Sequence, residues 1–192
     1  MDDSLLNFSV SLYGDLIPYD STKSIARCRI FYRALNRNGT YITNTFAEKL
    51  INSLPYTPIK GIYSPEKADY EDHGIRRDLG RIYAIVPENH NFAWERHLDE
   101  DGIERTYACC DVLVYTALYE EAKSIVGKSL SMELYKDATT GSWQKINGKE
   151  CYVFEDGCFL GLQILGDAVE PCFEGASFYS LKNTFQSFLE DI

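Results

Sequence analysis

Two side chains in this sequence have the types needed for acyl transfer. His73 sits in Asp72-His73-Gly74, and Ser131 sits in Ser129-Leu130-Ser131-Met132-Glu133-Leu134, 58 residues later (131 − 73). A serine hydroxyl becomes a useful nucleophile only beside a base. That base is often remote in sequence and near only in the fold. An imidazole titrates close to neutrality and suits the role, and Gly74 would let a substrate backbone come close. In an extended segment Ser131 and Glu133 share one face. Ser129 shares it too and is the rival nucleophile.

The elements that must position these residues are mostly strands. Residues 5–13 and 26–35 read as strands, the second with Ile30, Tyr32 and Ala34 alternating against Arg29, Phe31 and Arg33. Asn36-Arg37-Asn38-Gly39 is a turn. Thr43 or Asn44 caps a short helix that runs to about Ser53, before Pro55. An extended piece begins at Lys60, and 64–79 is a charged loop carrying His73. Strand signals resume at 80–86. Residues 87–104 are polar and end in the turn-like Asp99-Glu100-Asp101-Gly102. Residues 105–115 are apolar on both faces, which predicts a strand buried on both sides. The spacing of Leu118, Ala122, Ile125 and Val126 predicts a helix over 117–126, capped by Thr116 and stopped by Gly127. Strands follow at 129–135, 150–155 and 158–165, with 141–148 as a loop.

Phe178, Leu181, Phe185, Phe188, Leu189 and Ile192 then recur at helical spacing, which predicts an amphipathic helix over 178–192 after a domain spanning 1–177. The pattern reaches the last residue without a stop signal, which suggests a longer natural chain. Many strands and few helices predict an α+β domain built on a mainly antiparallel barrel wrapped by about three helices.

Composition narrows the function classes. An apolar fraction of 45%, with 14 Tyr and 10 Phe, fits a folded core rather than a disordered chain. A formal charge of −10 without a Lys/Arg run disfavours nucleic-acid binding. No apolar run approaches the ~20 residues of a membrane span. The acidic start Met1-Asp2-Asp3 has no secretory pattern. Six cysteines without a Cys-x-x-Cys pair therefore read as reduced, buried thiols. Cys109-Cys110 lacks the electropositive setting of a cysteine nucleophile. Asp99, Glu100, Asp101 and Glu104 do not match a calcium-binding loop and read as a solvated turn. No metal or cofactor is expected.

Taken in order, His73, Gly80-Arg81-Ile82, Asp101-Gly102-Ile103, Glu120-Glu121-Ala122-Lys123 and Ser131-Met132-Glu133 resemble the motif series of tailed-bacteriophage prohead (capsid maturation) serine proteases, relatives of the herpesvirus assemblins. The resemblance covers about residues 26–176. The segment Leu165-Gly166-Asp167-Ala168-Val169-Glu170-Pro171-Cys172-Phe173-Glu174-Gly175-Ala176 also resembles one common in head-gene proteins of phages of low-GC Gram-positive bacteria. The resemblance implies a herpesvirus-protease-like fold and a serine endopeptidase acting in the host cytoplasm, inside the assembling prohead. Its substrates would be scaffold, the major capsid protein and itself. It implies Ser131 as nucleophile and His73 as base. A third polar residue past the serine would orient His73. Glu155 is the leading candidate, with Asp156 and Asp167 as alternatives, although Glu155-Asp156-Gly157 also reads as a hairpin turn. Assemblins use a second histidine, for which His90 and His97 are available but precede the serine. A homo-oligomer, with a dimer plausible, fits the tail stripe. The competing expectation is a catalytically inactive, protease-like structural or scaffolding protein of the head.

Overall fold

Alternating apolar strands need a partner face, and here seven of them satisfy one another by closing into a barrel. The computed structural model describes residues 16–72 and 80–179. His73, the 5–13 segment and the tail after Tyr179 lie outside the described residues. In chain order the elements are β1 (Ile17–Pro18), β2 (Ser24–Tyr32), β3 (Thr40–Tyr41), α1 (Asn44–Asn52), β4 (Pro58–Gly61), β5 (Tyr63–Ser64), β6 (Asp69–Tyr70) and β7 (Arg81–Ile85). They continue with β8 (Ala93–Leu98), β9 (Glu104–Val114), β10 (Ser129–Leu134), β11 (Thr140–Ile146), β12 (Lys149–Asp156), β13 (Phe159–Leu165) and β14 (Ser177–Tyr179). The barrel runs β2-β14-β10-β13-β4-β7-β9 and returns to β2. Every pairing is antiparallel except β13 with β4. Closure removes the free edges an open sheet of this size would expose.

The doubly apolar β9 is long because it serves two neighbours. It pairs with β2 along most of its length, and its other edge pairs with β8 and then β7. Its inner side chains join Cys28, Phe31, Leu130, Leu162 and Ile164 in one core. A bulge between Arg29 and Phe31 resets the alternation of β2. Phe31 therefore follows Cys28 inward while Arg27 and Arg29 stay outside, which corrects the simple two-face pattern of 26–35.

The helix at Asn44–Asn52 forms as the sequence predicts. Thr43 Oγ1 accepts a hydrogen bond from Phe46 N at 3.1 Å, and Phe46, Ala47 and Leu50 are buried. It is the one α-helix among the described residues; of the others expected, the one over 117–126 is corrected, and the tail after Tyr179 lies outside the described residues. The 117–126 segment is turns and a short 3-10 stretch at Glu120–Ser124. Tyr119 is extended (φ −134°, ψ 125°), and its ring packs edge-on against Tyr83 at 5.2 Å. Leu118, expected on the apolar side, is 65% exposed.

Two strands had no apolar signal. β8 forms a hairpin with β9 through the Asp99–Gly102 turn. β11, expected as loop, pairs with β12 in a smaller three-stranded sheet completed by β3. Asn147 and Gly148, at φ 51° and 81°, make its two-residue turn. Phe178 and Tyr179, assigned to the tail helix by spacing, belong to β14, and Phe178 is core. No helix among the described residues is long and apolar enough to cross a membrane.

Candidate active site

β10 alternates in the way its sequence predicts. Leu130 enters the core, while Ser129, Ser131 and Glu133 share the outer face. Register sets the neighbours. Ser131 lies directly opposite Gln163 on β13, and Gln163 lies opposite Lys60 on β4. Ser131, Gln163 and Lys60 therefore form one row across three strands. Two residues along, Glu133 pairs with Gly161. The Lys60 ammonium crosses β13 to bond the Glu133 carboxylate. Gly161 makes that crossing possible, because a Cβ there would lie 3.0 Å from Lys60 Cε and 3.3 Å from Pro58 O.

Two cavities meet at this segment. One, of about 680 Å³, is lined by Lys60, Ile62, Gly80, Glu133, Lys136 and Gln163 among others. The other, of about 400 Å³, is lined by Ser131 with Asn36, Thr40, Met132, Phe154 and Cys172. Ser131 itself is 6% exposed. It shares its cavity with the Cys172 thiol, whose acidity burial weakens, pushing it up to about 11. At neutral pH that thiol is protonated and supplies no base. Ser129 opens instead onto the groove holding Asp167, Ser177 and Tyr179.

The structure distributes the other candidates as follows. The two described flanks of the His73 segment approach the larger cavity: Glu71 N donates to Ile62 O at 2.7 Å, and Ile62 and Gly80 both line the cavity wall. Glu155 stands on β12 in the smaller sheet, where its Oε1 accepts from Ser142 Oγ at 2.8 Å. Asp156 pairs with Lys49 at 3.1 Å, and Asp167 with Lys128 at 2.8 Å. The lysine beside Asp156 holds its carboxyl below the usual range. None of these three carboxylates lines either cavity at Ser131. His90 precedes β8 and contacts Glu88 O through Nδ1, and His97 lies on β8. Neither histidine lines those cavities. Cys109 and Cys110 are both fully buried. Asp99 and Asp101 are each held by Arg105 at 2.7 Å, so the acidic turn is an arginine clamp rather than a solvated one.

Gln163, Lys60 and Cys172 are the residues sequence reasoning missed. Gln163 gave a signal, as a lone polar residue in the run Phe159-Leu-Gly-Leu-Gln-Ile-Leu165. The other two depend on register and loop path, which no local pattern carries.

The arrangement offers a hydroxyl on one cavity, and an amide and a cation–carboxylate pair on the wall of the adjoining one. Such a set suits binding an extended peptide and, with a base beside Ser131, acyl transfer. Comparison with curated proteins and with solved structures gave no match. The model of one family, the YonD N-terminal domain, matches residues 21–192. The chain belongs to the YonD N-terminal domain family, a phage-associated family.

Proposed function

We propose that this chain is a serine endopeptidase of the prohead-maturation type, built on a herpesvirus-protease-like barrel. It would cleave scaffold, the major capsid protein and itself inside the assembling phage head in the host cytoplasm. One observation carries the reading. The outer face of β10 presents Ser131 to a cavity of about 400 Å³ and Glu133 to an adjoining one of about 680 Å³, whose wall includes Gly80, just after the His73 segment, and Ile62, whose carbonyl accepts from Glu71 N just before it. The phage association of the family and the closed, mainly antiparallel barrel support it.

In this mechanism Ser131 Oγ attacks the scissile carbonyl while His73 accepts its proton. His73 returns that proton to the leaving amine, and water then repeats the sequence on the acyl-enzyme. Gln163 stands directly across from Ser131 and would be the third polar residue in this reading, since Glu155, Asp156 and Asp167 line neither cavity. The Lys60–Glu133 pair would fix the register of a bound peptide. No cofactor takes part.

A second reading is favoured by one specific observation. Ser131 is nearly inaccessible, and the cavity it lines holds the Cys172 thiol and neither His90 nor His97. This suits an inactive, protease-like structural protein of the head. Incubating the chain with the scaffold and capsid proteins of its phage decides between them. Cleavage, together with self-trimming, that is lost in Ser131→Ala and in His73→Ala supports the enzyme. Binding of those proteins without cleavage supports the structural role.

A further inference from the structure

Away from Ser131, the outer face of the barrel at β8, β9 and β14 gathers donor atoms of three different kinds. Glu95 and His97 stand two residues apart on β8, so they project on the same side. Cys109 stands on β9, in register with Ala93 of β8 and Arg29 of β2. One carboxylate oxygen, one imidazole nitrogen and the thiol sulfur all lie within 4.8 Å of one another. His97 Nε2 is buried and makes no hydrogen bond, although it lies 3.5 Å from Glu95 Oε2. A buried ring nitrogen is normally paired. A tetrahedral ion with bonds of ~2.0–2.3 Å holds its ligands about 3.3–3.8 Å apart, and the Glu95–His97 separation is of that size.

We propose that Glu95, His97 and Cys109 form a binding site for a zinc-like divalent cation that pins edge strand β8 to the barrel wall. The donor set of one carboxylate, one imidazole and one thiolate is the kind that selects zinc over calcium or magnesium. Tyr179 completes the surroundings. Its hydroxyl donates to Glu95 Oε2 at 2.6 Å and also engages the Cys109 thiol, so it borders the fourth position. Charge is compatible. Binding displaces the thiol proton to solvent. Arg27 bonds both Asp111, at 2.7 Å, and Glu95 Oε1, so the thiolate, Glu95 and Asp111 together balance the ion and this guanidinium, and Glu95 Oε2 is the oxygen that faces His97. Arg29 lies over the Tyr179 ring, 5.0 Å from its centre. The site couples the β8–β9 hairpin to β14, the strand that closes the barrel.

The test uses the 192-residue chain, reduced and stripped with a chelator. It is titrated with zinc against a chromophoric competitor, and separately with cobalt in an absorption spectrometer. One equivalent should bind at about micromolar affinity or tighter. Cobalt should give a thiolate charge-transfer band and tetrahedral visible bands. His97→Gln and Cys109→Ser should each weaken binding by more than the ~10–100-fold that losing an outer-shell partner causes, and Cys158→Ser should leave it unchanged. Should Cys109→Ser fail to fold, His97→Gln, whose residue lies on the edge strand, carries the comparison. Absence of stoichiometric binding, a cobalt spectrum without thiolate character, or equal affinity in His97→Gln would each overturn the site.

Discussion

The outer face of this barrel is polar on two sides, and the two sides are built differently. At β10, β13 and β4 the polar row Ser131-Gln163-Lys60 carries a single ion pair, Lys60–Glu133, and borders open grooves. At β14, β2 and β9 the row Tyr179-Arg27-Asp111 is packed under β8. Its guanidinium bonds Asp111 at 2.7 Å and Asn91 O at 3.0 Å, and also bonds the Glu95 carboxylate. Burial lowers the tendency of Arg27 to hold its proton, but the two carboxylates raise it further, so the cation is permanent. The difference teaches where chemistry can sit. A buried ion network ties its charged groups to one another and holds them in place. A sparse row beside a groove leaves groups free to meet a substrate.

The contrast makes graded predictions. Arg27→Met strips two carboxylates of their buried partner and should cost about 3–5 kcal/mol in urea unfolding. A loss below ~1 kcal/mol would mean that the network is not the anchor of its face. Gly161→Val should come next, at about 1–3 kcal/mol, because its side chain would displace the Lys60 stem. Peptide cleavage should fall with it, since Lys60 would release Glu133. Lys60→Met should change stability by no more than about 1 kcal/mol, as expected of a partly exposed pair. Smaller still is a titration. Asp69 is held by Lys128 at 2.7 Å and accepts from Asp167 N at 2.8 Å, which keeps its carboxyl below the usual carboxylate range despite burial. Its folded value lies below the unfolded one. Its contribution is therefore complete above an unfolded carboxylate's range of about 4 and is lost as pH falls through the folded value. Asp69→Asn should flatten that limb of the stability–pH curve.

Legibility followed the same physics. Helix α1 could be read because Thr43 and the apolar stripe Phe46-Ala47-Leu50 are local signals. Strand β9 could be read because burial on both faces leaves a run, Tyr107 to Val114, that is apolar except at Asp111. Strands β8 and β11 could not. Their sequences, Ala-Trp-Glu-Arg-His-Leu and Thr-Gly-Ser-Trp-Gln-Lys-Ile, carry no apolar stripe; hydrogen-bonded pairing holds both, and in β8 Trp94 adds an edge-on contact with Phe31. The helical spacing of 117–126 misled because tertiary packing of Tyr119 on Tyr83 holds that residue extended. At the site, the outward set Ser129, Ser131 and Glu133 follows from period two. The neighbours Gln163 and Lys60 follow from register across three strands, and register between distant strands leaves no mark in either one.

The central claim is that Ser131 is a nucleophile. The most direct measurement is mass spectrometry of the chain after incubation with a fluorophosphonate, which reacts only with an activated serine. The account predicts one adduct per chain, mapped to Ser131, absent in Ser131→Ala and strongly reduced in His73→Ala. An unlabelled chain, or an adduct on Ser129 in place of Ser131, would contradict it.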